Sequence, residues 1–155
     1  MKDEPNNRSR EIQRLQQNLS SIRKIAGWNA ETLGNKIGVT KQTISNLENR
    51  KTTMSFAQYI ALRSVLDVEI ASNNENDVLP KVVALLLDCD DELDDDNYSK
   101  VQEVAGTVAA TAADGASSSR LNDVFAILLT SVPVVVPIMG AVLTGSTGWA
   151  LRLLK

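Results

Sequence analysis

Amide and basic side chains line one side of a short helix that the sequence predicts to begin at Lys41. Glutamine and asparagine can bind the edge of adenine through two hydrogen bonds, and lysine reaches guanine acceptors or phosphate. Ile44 and Leu47, three residues apart, are predicted to turn inward on the other side. The residues of the polar side are Lys41, Gln42, Ser45, Asn46 and Asn49. This pattern is typical of a helix that enters the major groove of DNA.

A second short helix and a tight turn precede this helix. Asn29 is a good N-cap residue, and Leu33 and Ile37 lie four residues apart on one predicted buried face. Gly38 supplies the left-handed backbone conformation that ends a helix at little steric cost. Thr40 is placed to cap the helix that follows. The sequence therefore predicts two helices joined by a turn at Gly38.

The segment from residue 33 to residue 51, L-G-N-K-I-G-V-T-K-Q-T-I-S-N-L-E-N-R-K, resembles the lambda-repressor-like, or Cro/C1-type (XRE), helix-turn-helix domain. The resemblance extends over about residues 15–70 and implies a five-helix, all-α domain that binds DNA. The positions that match the family's usual pattern are Leu33, Gly38, Val39, Ile44, Ser45, Glu48 and Lys51.

The resemblance also implies roles for individual residues. Lys41, Gln42 and Asn46 correspond to base-reading positions, and Thr43 lies near bases or backbone. The last three residues of the segment follow the recognition helix, where the family often contacts phosphate. The DNA-binding set predicted here is Thr40, Lys41, Gln42, Thr43, Ser45, Asn46, Asn49, Arg50 and Lys51.

Two residues depart from the family pattern. Ala30 replaces a common glutamine, so one phosphate or capping contact is expected to be missing. Arg50 replaces the usual glycine after the recognition helix. We expect a slightly altered exit of the chain there, and an added positive charge near phosphates. Glu48 is expected to be a structural partner of a nearby backbone or basic group.

Amphipathic helices flank the motif and should complete a helical bundle that buries Trp28. The apolar residues of the first recur every three or four positions, and Ser55 is placed to cap the second. They are Ile12, Leu15, Leu19, Ile22 and Ile25 in the first, and Phe56, Tyr59, Ile60, Leu62, Val65 and Leu66 in the second. The predicted organisation is a flexible terminus (1–10), the helix-turn-helix domain (11–71), an acidic linker with a short helix (72–97) and a helical C-terminal module (98–155).

Charge is divided unevenly along the 155-residue chain. Residues 1–71 carry eleven Lys or Arg and seven Asp or Glu, whereas residues 72–155 carry five and twelve. A basic head joined to an acidic remainder fits a DNA-binding head. Residues 1–9 lack a signal-peptide core, which predicts a cytoplasmic protein.

The composition leaves little room for enzyme or metal chemistry. The chain has no histidine and a single cysteine, Cys89, so disulfides within the chain are excluded and zinc sites essentially so. No nucleophile and base constellation or glycine-rich phosphate loop is found. The acidic run 88–96 lacks the glycine and the terminal glutamate of a calcium loop and is interpreted as a solvated linker. We predict no enzyme activity, cofactor or metal site.

The second half is strongly apolar. Asp77 is a candidate cap for a short helix, and a longer helix is predicted over Tyr98–Ala113. Residues 124–143 then pass without a charge, about the length that spans ~30 Å of hydrocarbon. Pro133 and Pro137 interrupt this run, and Trp149 follows it as a candidate interface anchor. The run is expected either to enter a membrane or to pack as buried helices in a soluble oligomer.

These features favour a sequence-specific transcription regulator, in the simplest case a repressor. Its predicted partner is double-stranded DNA with an inverted-repeat operator, read by a homodimer or higher homo-oligomer. One alternative is a membrane-attached scaffold protein whose helix-turn-helix domain binds a protein partner. Another is an antitoxin-type regulator whose tail binds a partner protein.

Overall fold

The computed structural model describes residues 5–89, 92–142 and 148–154. These residues form an all-helical structure without strands, which confirms the predicted fold class. A π-helical segment, Ala84–Asp88, directly follows the helix Val78–Val83. The helices are α1 (Pro5–Ile25), α2 (Ala30–Ile37), α3 (Lys41–Glu48), α4 (Phe56–Ser72), α5 (Val78–Val83), α6 (Asp95–Ala113), α7 (Ser118–Leu129), α8 (Val135–Val142) and α9 (Gly148–Leu153).

Helix α1 is the central element of the fold. Its apolar residues Leu15, Leu19, Ile22 and Ile25 are all almost completely buried, because their spacing puts them on one face of the helix. Helices α3 and α4 pack against α1, and so do α5, the π-helical segment and α6. The core residues predicted around it, Trp28, Leu33, Ile44 and Leu47, are buried, and Ile37 is half-buried.

The predicted helix starts in the first half are confirmed. Asn29 and Thr40 each accept a hydrogen bond from the backbone N–H three residues later. Ser55 forms a reciprocal capping box with Gln58 at the start of α4. Gly38 ends α2 with φ of 81°, the left-handed conformation that glycine adopts without strain.

The start of the chain is more helical than the sequence pattern indicated. Residues 1–4 lie outside the described residues, and α1 begins at Pro5, inside the segment predicted as a flexible terminus. Proline suits a first helical position because no intrahelical partner exists there for the missing N–H. The Arg8 guanidinium lies 3.9 Å from the centroid of the Phe56 ring, which ties this first part of α1 to α4.

Two caps in the second half differ from the expectation. Asp77 makes no side-chain capping bond at α5. Its neighbour Asn76 accepts from the Leu79 N–H at 3.1 Å and donates to the Ile25 carbonyl oxygen at 2.9 Å. Asp94 caps α6, which therefore begins at Asp95, three residues before the predicted start.

The region predicted as an acidic linker is partly buried against the first half. Arg63, 1% exposed, makes two hydrogen bonds of 3.2 and 3.1 Å to the carboxylate of Asp88. Cys89 is fully buried. Residues 90 and 91 of the acidic run lie outside the described residues, and those from Asp94 to Asp96 are exposed. The division of the chain at residues 72–97 stays a prediction.

The uncharged run beginning at Val124 is divided between two helices. Helix α7 ends at Leu129, turns follow, and α8 begins at Val135, with Pro137 in its first turn, where a missing N–H removes no helical hydrogen bond. Leu143 lies outside the described residues. Within the three described ranges, no helix is both long enough and apolar enough to cross a membrane.

Trp149 is not placed as a membrane anchor. It is 4% exposed, and its indole N–H donates to the Asp67 carboxylate at 2.9 Å. Its ring meets the Tyr59 ring edge-on at 5.9 Å, and the Arg63 guanidinium lies 5.1 Å from its centroid. Helix α9 is thus docked against α4 of the first half. The predicted anchor role of Trp149 is wrong because α4 supplies both an aromatic partner and an acceptor.

Candidate nucleic-acid interface

The recognition helix α3 is held by its apolar side. Ile44 is fully buried and Leu47 is 1% exposed, so these two side chains fix the rotation of the helix about its axis. The Thr40 cap fixes its start, accepting from the Thr43 N–H at 3.0 Å. Since the inward positions are set, the polar residues between them must point away from the core.

An ion pair with α1 fixes the end of α3. The Arg23 guanidinium donates to both carboxylate oxygens of Glu48, at 2.6 and 3.1 Å, and to the Trp28 carbonyl oxygen at 2.9 Å. Both side chains of the pair are 12% exposed. The structural role predicted for Glu48 is therefore confirmed, and its carboxylate is directed at Arg23.

Gln16 on α1 holds the segment that follows α3. Its side-chain N–H₂ donates to the carbonyl oxygens of Leu47 at 3.0 Å and Thr52 at 2.7 Å, and its oxygen accepts from the Met54 N–H at 3.0 Å. One buried amide thus satisfies three backbone groups of the exit loop. The sequence pattern did not single out Gln16, although a polar residue four positions after Ile12 and three before Leu19 was a signal.

The turn between α2 and α3 requires the glycine at position 34. A Cβ atom built on Gly34 would lie 2.7 Å from the Val39 carbonyl oxygen and 3.2 Å from that of Thr40. The turn therefore lies directly on the surface of α2. This close approach sets how α3 leaves the turn.

The predicted DNA-binding residues lie together on the solvent side of α3 and its ends. Gln42 donates to the side-chain oxygen of Asn46 at 2.9 Å, so the two amides form a pair along one face. The pair still offers the oxygen of Gln42 and the N–H₂ group of Asn46 to a base edge. Thr40, Lys41, Gln42, Asn49, Arg50 and Lys51 are exposed, and Thr43, Ser45 and Asn46 are partly exposed.

Arg50 adopts the backbone conformation that glycine would have. Its φ is 59°, in the left-handed region, and the Lys51 N–H reaches back to the Asn46 carbonyl oxygen at 2.8 Å. The altered exit expected from the replacement of glycine is therefore not seen. The helix ends at a residue in the left-handed conformation, which is strained for arginine. The positive charge of Arg50 follows the end of α3.

The electrostatics of this surface favour an anion. Lys41 lies at the start of α3, and Arg50 and Lys51 follow its end. Glu48 is the one carboxylate between residues 40 and 51, and it is paired with Arg23. The exposed side of α3 is therefore polar and cationic, as a helix against DNA phosphates must be.

A polar cleft of about 290 Å³ lies between α1 and the exit loop. Its lining is composed of amides, hydroxyl groups and one guanidinium, all able to donate hydrogen bonds. The lining residues are Gln13, Gln16, Gln17, Arg50, Thr52 and Thr53. Gln13, Gln17, Thr52 and Thr53 were not among the predicted binding residues. Their exposure next to Arg50 extends the polar surface from α3 to α1.

Residues 13–72 match the family model described as helix-turn-helix. This segment is a helix-turn-helix domain of the XRE, lambda-repressor-like type. The helix-turn-helix domain takes in most of α1 and all of α2, α3 and α4, and the match supports a DNA-binding transcription regulator of the XRE type. Comparison with curated proteins and with solved structures gives no match. In the described part of the chain, no group of three potential metal-ligating residues is brought together.

Proposed function

We propose that this protein is a sequence-specific transcription regulator that represses by occupying an operator. The observation that carries the proposal is the exposed amide pair of Gln42 and Asn46 on a helix flanked by cations. A helix face that contacts only water can carry carboxylates at little cost. A helix that lies between two rows of phosphates must carry few carboxylates, because phosphates repel them.

The roles proposed for the site follow from the chemistry of each side chain. The paired amides suit an adenine edge, which presents one donor and one acceptor in the major groove. Lys41 reaches a guanine acceptor or a phosphate. Thr43 and Ser45 lie on the flanks of the pair. The remaining predicted residues, Thr40, Asn49, Arg50 and Lys51, are placed at the ends of α3, where phosphate contacts position the helix without reading sequence.

The operator is proposed to be an inverted repeat bound by a dimer. One recognition helix reads a few base pairs, and dimers of helix-turn-helix proteins read two half-sites roughly 34–36 Å apart. Repression then requires only that the bound dimer excludes the polymerase.

The test is selection of binding sites from random double-stranded DNA, followed by affinity measurements on the selected site. Gln42→Ala and Asn46→Ala should each weaken binding by roughly 1–3 kcal/mol while leaving affinity for random DNA almost unchanged. Because the two amides are bonded to each other, the double variant should cost less than the two single changes together. Asn74→Ala, which removes an exposed amide in the turn after α4, is the matched control.

Two results would contradict the proposal. Unchanged site preference in both amide variants would remove Gln42 and Asn46 from base reading. Negligible binding of the intact protein to any DNA at low salt would favour a protein partner for this domain instead, as in a scaffold or an antitoxin-type regulator.

A further inference from the structure

The polar cleft between α1 and the exit loop lies beside the end of the recognition helix and takes no part in the proposed reading of bases. Its volume is about 290 Å³. The lining residues are Gln13, Gln16 and Gln17 of α1 with Arg50, Thr52 and Thr53 of the exit loop. All of these described residues except Gln16 are exposed, and none carries a carboxylate. The cleft can therefore donate hydrogen bonds to an anion without repelling it.

The wall that α1 contributes to the cleft follows from its sequence. Gln13 and Gln17 lie four residues apart, so they share one exposed face of the helix. Gln16 lies next to that face, is 8% exposed and holds the exit loop against α1 through its bonds to Thr52 and Met54. The two exposed amides therefore stand beside the exit loop at a distance that a buried neighbour keeps constant.

The polar groups of the cleft are available to a ligand. Among the described residues, no hydrogen bond or ion pair engages the side chain of Gln13, Gln17 or Arg50. A glutamine amide offers two N–H donors and a guanidinium offers five. Hydrogen bonds from such donors to phosphate oxygens are strengthened by the negative charge of the acceptor.

Arg50 joins the cleft to the recognition helix. It directly follows Asn49, the C-cap residue of α3, and its φ of 59° is strained for a residue other than glycine. Strained backbone of this kind is found preferentially at functional sites. Because its guanidinium also lines the cleft, a ligand strand that passes the end of α3 is within reach of both walls.

We infer that this cleft binds one phosphodiester group of the DNA backbone, and that Gln13 and Gln17 make α1 a third element of the DNA interface. The inference rests on the proposed function. When α3 lies in the major groove, the sugar–phosphate strands that border the groove run past its ends. Glutamine, serine and threonine side chains contact such phosphates as commonly as basic residues do and fix the register of the protein on the duplex.

A different polar cleft shows that the absence of carboxylates is not a general property of this surface. It has a volume of about 490 Å³ and lies between the turn after α4 and the start of α7. Glu75, Asp77 and Asp123 contribute to its lining, and their charges would repel a phosphate. The chemistry of the cleft beside α3 therefore selects it as the anion site of the two.

A contact through neutral amides can be told apart from a purely structural role. Phosphate contacts carry no sequence information, so their loss should weaken binding to the selected site and to random DNA by the same factor. Glutamine has no charge and displaces no counterion, so the slope of log affinity against log salt should stay constant. Loss of the Arg50 charge should instead reduce the magnitude of that slope.

The experiment uses the full chain with Gln13→Ala, Gln17→Ala and the double variant. Asn7→Ala is the matched control, because Asn7 is an exposed amide on α1 that does not line the cleft. Binding is measured on the selected site and on random DNA at several salt concentrations, and stability by urea titration. The double variant should lose at least about fivefold on both DNAs at constant slope and unchanged stability. The control should lose nothing.

A charged substitution makes the test more sensitive. Gln17→Glu keeps the size of the side chain and puts a carboxylate into the cleft, so it should weaken binding to both DNAs by at least about tenfold. Asn7→Asp adds the same charge elsewhere on α1 and should cost about twofold or less, because solvent and salt screen a distant exposed charge.

The contacted phosphate is located by replacing the phosphates of the selected site, one at a time, with neutral methylphosphonates. At one position beside the end of α3, the replacement should cost the double variant at least about threefold less than it costs the wild type, because the partner amides are already absent. Inorganic phosphate is tested separately, through its effect on the Tm of the protein without DNA.

Several results overturn the inference. These are unchanged affinity in the double variant and in Gln17→Glu, a loss confined to the selected site, or equal costs of every methylphosphonate in the wild type and the double variant. A rise in Tm with inorganic phosphate that the double variant lacks, together with equal methylphosphonate costs, would assign the cleft to a free anion.

Failure of this inference is distinguishable from failure of the proposed function. If Gln42→Ala and Asn46→Ala alter site preference while the methylphosphonate costs are equal, the regulator stands and the phosphate cleft does not. A wild type that binds no DNA at low salt removes both.

Discussion

Replacing Arg50 by glycine should make the protein more stable and its DNA binding weaker. Arg50 has φ of 59°, and a side chain in the left-handed region costs roughly 1–2 kcal/mol. Glycine removes that strain but adds about 0.4–1 kcal/mol of chain entropy to the unfolded state. The net gain is about 0.5–1 kcal/mol in the free energy of unfolding. For a chain of 155 residues, that corresponds to an increase in Tm of roughly 1–4 °C.

The same substitution removes a cation from the end of α3. If Arg50 neutralises one phosphate, the slope of log affinity against log salt should fall in magnitude by about 0.9. Urea titration and affinity measurements at several salt concentrations measure the two effects separately. Arg50→Lys keeps both the charge and the strained backbone, so it should change neither quantity appreciably. A destabilised Arg50→Gly protein would refute the strain argument, and an unchanged salt slope would refute the phosphate contact.

Two further substitutions test the packing and the electrostatics of the fold. Gly34→Ala should lower the free energy of unfolding by about 1–2 kcal/mol in urea, because its Cβ would lie 2.7 Å from the Val39 carbonyl oxygen. The matched change Gly106→Ala, where no atom lies within 4 Å of the added Cβ, should raise it by about 0.5–1 kcal/mol; the same sign for both would be incompatible with the close approach. Burial raises the pKa of Asp67 above 3.8 despite the hydrogen bond from Trp149, so the native state holds this proton more tightly than the unfolded state, and the stability gained from it is lost as pH rises through the native pKa. Asp67→Asn should therefore gain stability relative to the wild type as the pH rises above about 4 in parallel urea titrations, and a difference that stays constant with pH would contradict the assignment.

The helix-turn-helix segment was predictable because its signals are local. Asn29, Thr40 and Ser55 cap helices through backbone groups only three residues away, so the bonds depend little on distant parts of the chain. Gly38 shows the same for a turn. Spacing alone identified Ile44 and Leu47 as the inward positions, and the outward positions followed from it.

The backbone at Arg50 shows what the pattern contained but our interpretation did not use. In the family pattern that this sequence resembles, position 50 is glycine, the residue that takes a left-handed conformation without strain. Arg50 takes that conformation here, and the hydrogen bond between Lys51 and Asn46 closes the helix end. The replacement was therefore as compatible with a strained arginine as with the altered exit that we expected.

Contacts between residues that are distant in the sequence could not be predicted from spacing. Gln16 bonds to groups 31 to 38 residues away, and Trp149 bonds to Asp67 across 82 residues. A buried polar side chain signals that it needs a partner, but not which one. Asp77 and Asn76 were equally acceptable caps for α5 by type. The distant carbonyl of Ile25 selected the asparagine, because an amide, unlike a carboxylate, can donate to it and accept at the same time.

Helix α1 connects the proposed DNA-reading surface to the rest of the molecule. One side of it carries Gln16 and Arg23, which hold the exit loop and the end of α3. Another carries Asn18, which bonds to α6 through Tyr98 and Gln102. These residues lie within two turns of one helix, so a displacement of α6 must shift the same rod that orients α3. We therefore expect a contact made by the second half to influence the position of Gln42 and Asn46 through these packed side chains.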